Sequence, residues 1–501
     1  MDPQAFDRNR RLFLLASAVA AAGSLLSCDQ PKGMTRPRGQ QGSAPGNGGT
    51  ATNAAGAAGG AKASDGTGDA SKSGSDPTKP ADATSGKAKL PPPTERPAPP
   101  SSEPAIRIKT GGLPKGDPRV QIEGPGPAVW IIEPGSGKPG TVAEGPVDFA
   151  WTAAGWKVTE RFGTREARPV AVPARATLEV MALGGEPSQL KVFGSVWPGK
   201  VRLVLQPDDP NEPVDVVHEV PMETYLSGVI AKELFNNWGA ATHRAQAIAA
   251  RSYAVCEMAM WKGRRHFDVV AGEQSQAWIG TTAHKRSLDA VAGTRGQVLV
   301  WESRVVPAYY SSCCGGARAA ARDAISSAIL HDIPPLGVAR GDTGDCCSWA
   351  PTYRWNSRMD LATFARTLPA WARAEGYASL FKVDGVRRVE ILEKNPAGRP
   401  VRYALTDAKG QRFEVTAERL RWALNADPRN PANLRPAKER IKSAYFEPLV
   451  AGGELVLSGR GHGHGVGMCQ YGAEAMSKKG AKEAAILSRY YPGASVAKSY
   501  A

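Results

Sequence analysis

The sequence predicts an α+β fold with a β-rich front part, a mixed helical core and a glycine-rich loop near its far end. Three observations predict it. Between Ile106 and Gln206, short runs alternate apolar with polar residues and are punctuated by glycine and proline, the pattern of half-buried strands joined by turns. After Pro221 the apolar spacing lengthens, and Met222, Tyr225, Leu226, Val229 and Ile230 recur at helical intervals. From Gly459 to Gly467 every second residue is glycine, too dense for a helix interior or a central strand.

The front strands are expected at 106–109, 120–123, 128–132, 156–161, 176–182, 190–193 and 200–206, and they suit a small barrel or sandwich. A short helix follows at 222–232 and a long one at 240–261, with an apolar stripe through Ala245, Ile248, Ala249, Ser252, Cys256, Ala259 and Met260. Strands return at 296–300 and 305–311, then a helix at 361–374, strands at 388–392, 401–405 and 411–415, and a helix at 417–424. Helices at 473–479 and 482–490 close the chain, and no internal repeat is evident. The glycines of 459–467 predict a loop that brings backbone close to something bound, with His462 and His464 as donors or bases.

Residues 1–28 read as a leader to be set aside from the fold. Arg8, Arg10 and Arg11 precede an apolar stretch through Leu26, similar to the paired-arginine signals of folded-protein export. The stretch is rich in alanine and shorter than the roughly 20 apolar residues a membrane span needs. It ends in Leu25-Leu26-Ser27-Cys28, which resembles a lipoprotein processing box and implies lipidation at Cys28. Residues 29–104 carry scarcely an aliphatic side chain larger than alanine and cannot bury enough apolar surface to offset ordering entropy. They are expected to form a disordered linker, flexible at 42–74 and stiff at the prolines 91–93 and 97–100, tethering the 105–501 domain to a membrane through the lipid anchor. The expected location is exported, in the cell envelope and facing the wall.

The 501 residues carry a formal charge of +15, which favours anionic partners. Nucleic acid is not among those expected, because no arginine/lysine stripe with interleaved aromatics, zinc-finger spacing or heptad-led basic region is present. The glycines fit neither a Walker nor a dinucleotide-binding pattern.

Two long motifs carry the chemistry. The first runs from Met222 through Tyr225, Lys232, Glu233 and Leu234 to Trp238, and continues as Ala245-Gln246-Ala247-Ile248-Ala249-Ala250-Arg251-Ser252-Tyr253-Ala254. The second is Gly459-Arg460-Gly461-His462-Gly463-His464-Gly465-Val466-Gly467-Met468-Cys469-Gln470-Tyr471-Gly472. Between them lie Phe267-Asp268-Val269 leading to Gln276, then Gly293-Thr294-Arg295-Gly296-Gln297, and Ala308-Tyr309-Tyr310-Ser311-Ser312 leading to Gly315-Gly316. Taken together this ordered set closely resembles the stage II sporulation protein D family, which includes amidase-enhancer domains. The likeness covers roughly 106–496.

The resemblance implies a lytic transglycosylase that cleaves N-acetylmuramic acid to N-acetylglucosamine linkages in peptidoglycan glycan, with peptide-free strands preferred and a 1,6-anhydro product. It places the catalytic glutamate at Glu233, inside the helical catalytic core, and makes the glycine-rich stretch an active-site loop. The alternative is a noncatalytic peptidoglycan-binding stimulator of a cell-wall amidase. The chemistry is coherent on its own terms. A hydrolytic glycosidase needs two carboxyl groups. When the sugar's own 6-hydroxyl replaces water, it is already held near the reacting carbon, and one carboxyl group can serve as acid and then base. Glu233 follows Val229-Ile230-Ala231 and precedes Leu234-Phe235, an apolar neighbourhood suited to that task.

Glu223 and Asp268 are the next carboxylates in rank, Glu257 reads as structural, and Glu273 lies in a loop with Gln274, Gln276 and Trp278, whose amides and indole suit sugar. Trp238 suits either a sugar face or the core. Arg251 and Tyr253 match family positions; Arg251 is expected to bind a carboxylate or hold Glu233, against an intrahelical ion pair as the plainer reading. His464 is the family's characteristic histidine and is expected to orient substrate or carboxylate, with Gln470 and Tyr471 completing that wall.

Some relatives bind zinc through a Cys…His-Cys cluster after Phe-Asp-Val. Here the matching positions are Val270, Gln274 and Ser275, which do not make a zinc site, so neither metal nor cofactor is expected. Cys313-Cys314 and Cys346-Cys347 are expected to form one or two disulfides in an oxidising compartment, and a four-thiolate metal site is the less favoured alternative because the spacing is unlike common zinc modules. Cys256 reads as a buried helix residue, and a Cys469/His nucleophilic dyad is a minor reading.

Overall fold

Alternating burial organises the front of the chain into two sheets. The strands are β1 (Ala105–Leu113), β2 (Arg119–Glu123), β3 (Ala128–Ile132), β4 (Thr141–Glu144), β5 (Val147–Thr152), β6 (Gly155–Glu160), β7 (Arg168–Val170), β8 (Leu178–Ala182), β9 (Gln189–Val192), β10 (Ser195–Pro198), β11 (Lys200–Leu205) and β12 (Val214–Pro221). With β13 (Val269–Val270), one sheet runs β13-β1-β12-β11-β8-β3-β4, and the other runs β10-β9-β2-β5-β6-β7. Inward residues of both sheets, among them Val120, Ile122, Val129, Phe149, Val180 and Leu203, share one core, as in a sandwich. Fully burying each such side chain stabilises by about 1.5–3 kcal/mol before entropy is counted.

The computed structural model describes residues 93–161, 168–184, 189–206, 213–272, 275–325, 330–340 and 344–501, all within one of the chain's two units. The leader, Cys28 and most of the expected linker lie outside the described residues, as do Glu273 and Gln274. The ordered body begins before the expected boundary at 105. Arg96 is buried and donates to the carbonyls of Trp301 and Arg304, each at 3.0 Å, and Val305 N–H donates to Pro97 O at 2.8 Å.

The antiparallel pair β1/β12 joins the sandwich to the helical core. Ile106, Ile108 and Val220 at one end pack among the helices, while Leu113, Val214 and Val216 at the other pack in the sandwich. Strand β12 runs directly into α1 (Met222–Glu233), with Pro221 at φ −58° setting the entry. The long α2 (Ala240–Trp261) is buried on almost every face, as a central helix of small residues should be. Its bounds coincide with those expected, and α1 ends one residue later than expected.

Against α2 pack α3 (Lys285–Gly293), β14 (Gln297–Trp301) and β15 (Arg304–Val305), and β16 (Tyr310–Ser311) and the short α4 (Ala321–Ala324) follow in the chain. The single strand expected at 305–311 is therefore broken, and Pro307, which cannot donate to a ladder, lies in the gap.

A separate packing centre follows, made by β17 (Arg354–Asp360), α5 (Leu361–Glu375), β18 (Arg388–Lys394), β19 (Pro400–Thr406), β20 (Arg412–Thr416), α6 (Ala417–Asn425), β21 (Ala426–Asp427), β22 (Asn430–Leu434), β23 (Phe446–Ala451) and β24 (Glu454–Arg460). Trp355, Phe364, Trp371, Tyr403, Leu420 and Phe446 form its core. Asp360 caps α5 by accepting from Thr363 N–H at 2.7 Å, and Gly376 closes the helix at φ 74°. The chain then returns to the helical core through β25 (Met468–Cys469), α7 (Gln470–Lys478), α8 (Glu483–Tyr490) and β26 (Ser495–Lys498). Strand β25 pairs in parallel with β16, and β26 pairs antiparallel with β14.

Candidate functional site

Glu233 is the last helical residue of α1, because Leu234 turns extended at φ −122°. The carboxylate is half-buried and its two oxygens have different donors. Ala277 N–H donates to Oε1 at 2.9 Å, and Gln470 Nε2 donates to Oε2 at 3.3 Å. The first donor comes from the loop after β13 and the second from the first turn of α7, so three distant stretches of sequence meet at this side chain.

The Ala277 amide is held in place from below. Its neighbour Gln276 is buried, accepts from Tyr225 Oη at 3.0 Å, and donates to Tyr310 Oη at 3.0 Å and to Ala250 O at 3.3 Å. Gln276 therefore positions the peptide that faces Glu233 rather than meeting a ligand itself. Burial raises the phenols of Tyr225 and Tyr310 well above their ordinary range, with the charge of Glu233 adding to it, so both stay protonated donors. Trp278 is also buried, against Trp197, His218 and Tyr225, which makes it part of the core rather than a sugar platform.

Beside Glu233 lies an aromatic cluster. Trp238 and Tyr471 are buried and meet edge to face with centroids 5.0 Å apart. Phe235 packs on Trp238 at 5.3 Å and Trp349 on Tyr471 at 4.6 Å, yet Phe235 is 50% and Trp349 43% exposed. The exposed ring surface thus belongs to Phe235 and to Trp349, over whose ring Lys478 Nζ lies at 4.3 Å, while Trp238 and Tyr471 support it. Sequence reading treated Phe235 only as an apolar neighbour of Glu233 and did not single out Trp349, whose separation in sequence gives no cue.

The other ranked carboxylates are engaged elsewhere. Arg251 is fully buried and binds Glu223, with Nε to Oε1 at 3.0 Å and a second nitrogen to Oε2 at 2.6 Å. Of the roles expected for Arg251, carboxylate binding is the one seen, and its partner is Glu223 rather than Glu233. Tyr500 Oη adds a 2.6 Å bond to Glu223. Asp268 is buried and pairs with Arg107 at 2.6 Å, and Glu257 accepts from Trp261 Nε1 at 3.1 Å. Tyr253 is buried with its ring against Tyr309 at 5.5 Å.

The glycine-rich stretch approaches the protein's own backbone. A Cβ on Gly467 would lie 2.0 Å from Tyr309 O, and one on Gly465 would lie 2.5 Å from an Arg399 nitrogen; both glycines have positive φ. The close approach expected to a bound molecule is, at these two positions, a close approach to segment 309–316 and to Arg399. That arginine is buried and donates to the carbonyls of Cys314 at 3.1 Å, Ala317 at 3.3 Å and His464 at 3.1 Å. His464 Nδ1 accepts from Val466 N–H at 3.0 Å, and its ring meets Tyr309 edge on at 5.9 Å. Burial pushes its pKa down to about 3, helped by Arg421 and Arg399, so it is a neutral imidazole that donates through Nε2. His462 is exposed.

The cysteine pairs are brought together unequally. Cys313, Cys314 and Cys347 are buried close to one another, whereas Cys346 is exposed. Cys469 joins the first three, and all of the cysteines among the described residues are free thiols. The one or two bridges expected between the pairs are not formed here, and the contact across the pairs is Cys314 Sγ to Cys347 Sγ at 3.6 Å.

The fold and site define an α+β protein in which one half-buried carboxylate, flanked by open aromatic rings, lies between the start of the motif region and a glycine-rich turn. Residues 211–301 match the family described as Stage II sporulation protein. The chain is 26% identical over 291 residues to the amidase enhancer of Bacillus subtilis, an alignment covering 54% of this chain and 39% of that protein. It is 27% identical over 302 residues to stage II sporulation protein D of the same organism, covering 56% of this chain and 76% of that one. An uncharacterized protein of Brachyspira hyodysenteriae is 28% identical over 292 residues, covering 57% of this chain and 69% of that protein. Over residues 211–301 the chain is similar to the stage II sporulation protein family, and the likeness to the relatives extends over a little more than half of it.

Proposed function

We propose that this protein is a lytic transglycosylase of peptidoglycan glycan with Glu233 as its acid and base. The family and the likeness to an amidase enhancer support a cell-wall-related role. The observation that carries the finer reading is the holding of Glu233 by two donors beside open aromatic rings, while Glu223 and Asp268 are consumed in buried ion pairs. One carboxyl group suffices for a reaction whose nucleophile is supplied by the substrate.

The step balances without water. Protonated Glu233 gives its proton to the glycosidic oxygen as the bond from C1 of N-acetylmuramic acid breaks. The resulting carboxylate takes the proton of the 6-hydroxyl as O6 bonds to C1, which regenerates the acid and leaves a 1,6-anhydro end. Ala277 N–H at Oε1 and Gln470 Nε2 at Oε2 together fix the carboxyl plane. Phe235 and Trp349 offer apolar faces to sugar rings. Peptide-free strands are the substrate this reading favours, and a lipid anchor at Cys28 would hold the enzyme near the wall.

The test is incubation of the protein with peptide-free glycan and detection of anhydro-ended fragments. Glu233→Gln should retain binding and lose cleavage by at least about 100-fold. Undiminished cleavage would move the acid/base role to another group. Absence of anhydro product from the unaltered protein, with faster turnover of an added amidase, would instead establish the noncatalytic stimulator, the reading that the likeness to an amidase enhancer favours.

A further inference from the structure

Four buried sulfurs converge beneath the site just described, outside the loop where some relatives hold zinc. Sγ atoms of Cys313, Cys347 and Cys469 all lie within 4.8 Å of one another, and Cys314 Sγ is 3.6 Å from Cys347 Sγ. A tetrahedral thiolate site with metal–sulfur bonds of about 2.3 Å requires sulfur–sulfur edges of roughly 3.8 Å; the Cys314–Cys347 edge already has that length, and the Cys313, Cys347 and Cys469 triangle needs to close by no more than about 1 Å. Each thiol is at most 7% exposed, and Arg318, Arg489 and Tyr490 line the same hollow as Cys314 and Cys347, so two cations stand near sulfurs that must be anionic to bind a metal. The Cys314 N–H donates to Cys469 Sγ at 3.3 Å, the kind of outer hydrogen bond that steadies a metal-bound thiolate.

We propose that Cys313, Cys314, Cys347 and Cys469 form a closed four-thiolate site for a zinc-class divalent cation. Four clustered sulfurs exceed what a single disulfide uses, and Cys313, Cys314 and Cys347 all turn inward while Cys346 alone of the two adjacent pairs is exposed. Soft sulfur donors in a tetrahedral set select zinc over the harder cations. With four protein ligands no position is left for substrate, so the ion is structural.

Its placement gives it a consequence. The ligands come from the segment just after β16, from the turn at Asp345–Cys347 and from β25. Cys469 directly precedes Gln470, the side chain that donates to Glu233. The ion would therefore staple three remote stretches and fix the start of α7. The site stands on the sulfur geometry and holds whether or not the protein cleaves glycan.

The experiment measures metal in the full-length protein purified without chelator, together with thiol reactivity before and after metal release. About one zinc per chain is expected, with about four thiols reacting only once zinc is displaced. Cobalt exchanged into the site should show the intense visible bands of tetrahedral thiolate coordination. Cys346→Ser should keep the zinc and Cys347→Ser should lose it. Should Cys347→Ser fail to fold, the zinc content of the unaltered protein and of Cys346→Ser still decides. A metal-free protein with a mapped Cys314–Cys347 disulfide, or with all native thiols freely reactive, overturns the proposal, as does bound iron in place of zinc.

Discussion

Glu233 and Phe235 are two residues apart, on either side of the change from helix to extended chain at Leu234. Phe235 leaves half its surface open, although it contacts Trp238 and Tyr471. If that open ring stacks on sugar, Phe235→Ala in a Glu233→Gln background should weaken glycan binding by about 1 kcal/mol, roughly five-fold in Kd. Calorimetric titration with a defined glycan measures this, and an unchanged Kd would remove Phe235 from the binding surface. At this scale the sequence was informative about Glu233 and Gln470, because each sits in a long ordered motif. It could not reveal the Ala277 amide, since a backbone donor has no residue type to mark it. Trp349 was equally hidden, for its role comes from a fold that carries it across to Tyr471.

The pairing of α1 with α2 shows how an element can be read correctly while its bonds are not. Helical spacing gave the bounds of both helices almost to the residue, because apolar period is a local property. Which charge meets Arg251 is set by the crossing of the two helices, and that crossing joins it to Glu223 rather than to Glu233. The pair is buried, so removing one partner strands the other's charge in the core. Arg251→Met is expected to destabilise the protein by about 3–5 kcal/mol, and adding Glu223→Gln should recover part of the loss. Chemical unfolding of the three variants measures it; an unaltered midpoint for Arg251→Met would show that the pair does not hold the helices. Strand prediction was weaker where the chain breaks its own pattern, as at Pro307. The packing centre built by 354–460 was legible as helices and strands but not as a separate core, because pattern alone does not say which faces meet.

The sandwich and the helical core share a seam, and its composition makes the stability of the whole molecule depend on acid. Trp197 packs into both cores, and His218 of β12 lies beside it at 5.2 Å with Trp278 at 5.9 Å on another side. His218 has no exposed surface, and burial pushes its pKa down from 6.5 to about 3, opposed by the Pro198 carbonyl. In the unfolded chain this imidazole binds a proton near pH 6.5, whereas in the folded chain it stays neutral until about pH 3. The unfolded state therefore holds more protons across that window, and stability must fall as pH drops through it, by at most about 1.4 kcal/mol per pH unit for one such group. His464 adds a contribution of the same sign, while Glu375, raised to about 7 by burial, acts in the opposite sense between its unfolded and folded values. Comparing the protein with His218→Phe isolates the seam, because the other groups are common to both. Phenylalanine keeps an apolar ring between the tryptophans and has nothing to protonate. The variant should lose stability less steeply between pH 6.5 and pH 4, read as a smaller drop in Tm over that interval; parallel curves for the two proteins would show that His218 does not couple the seam to pH.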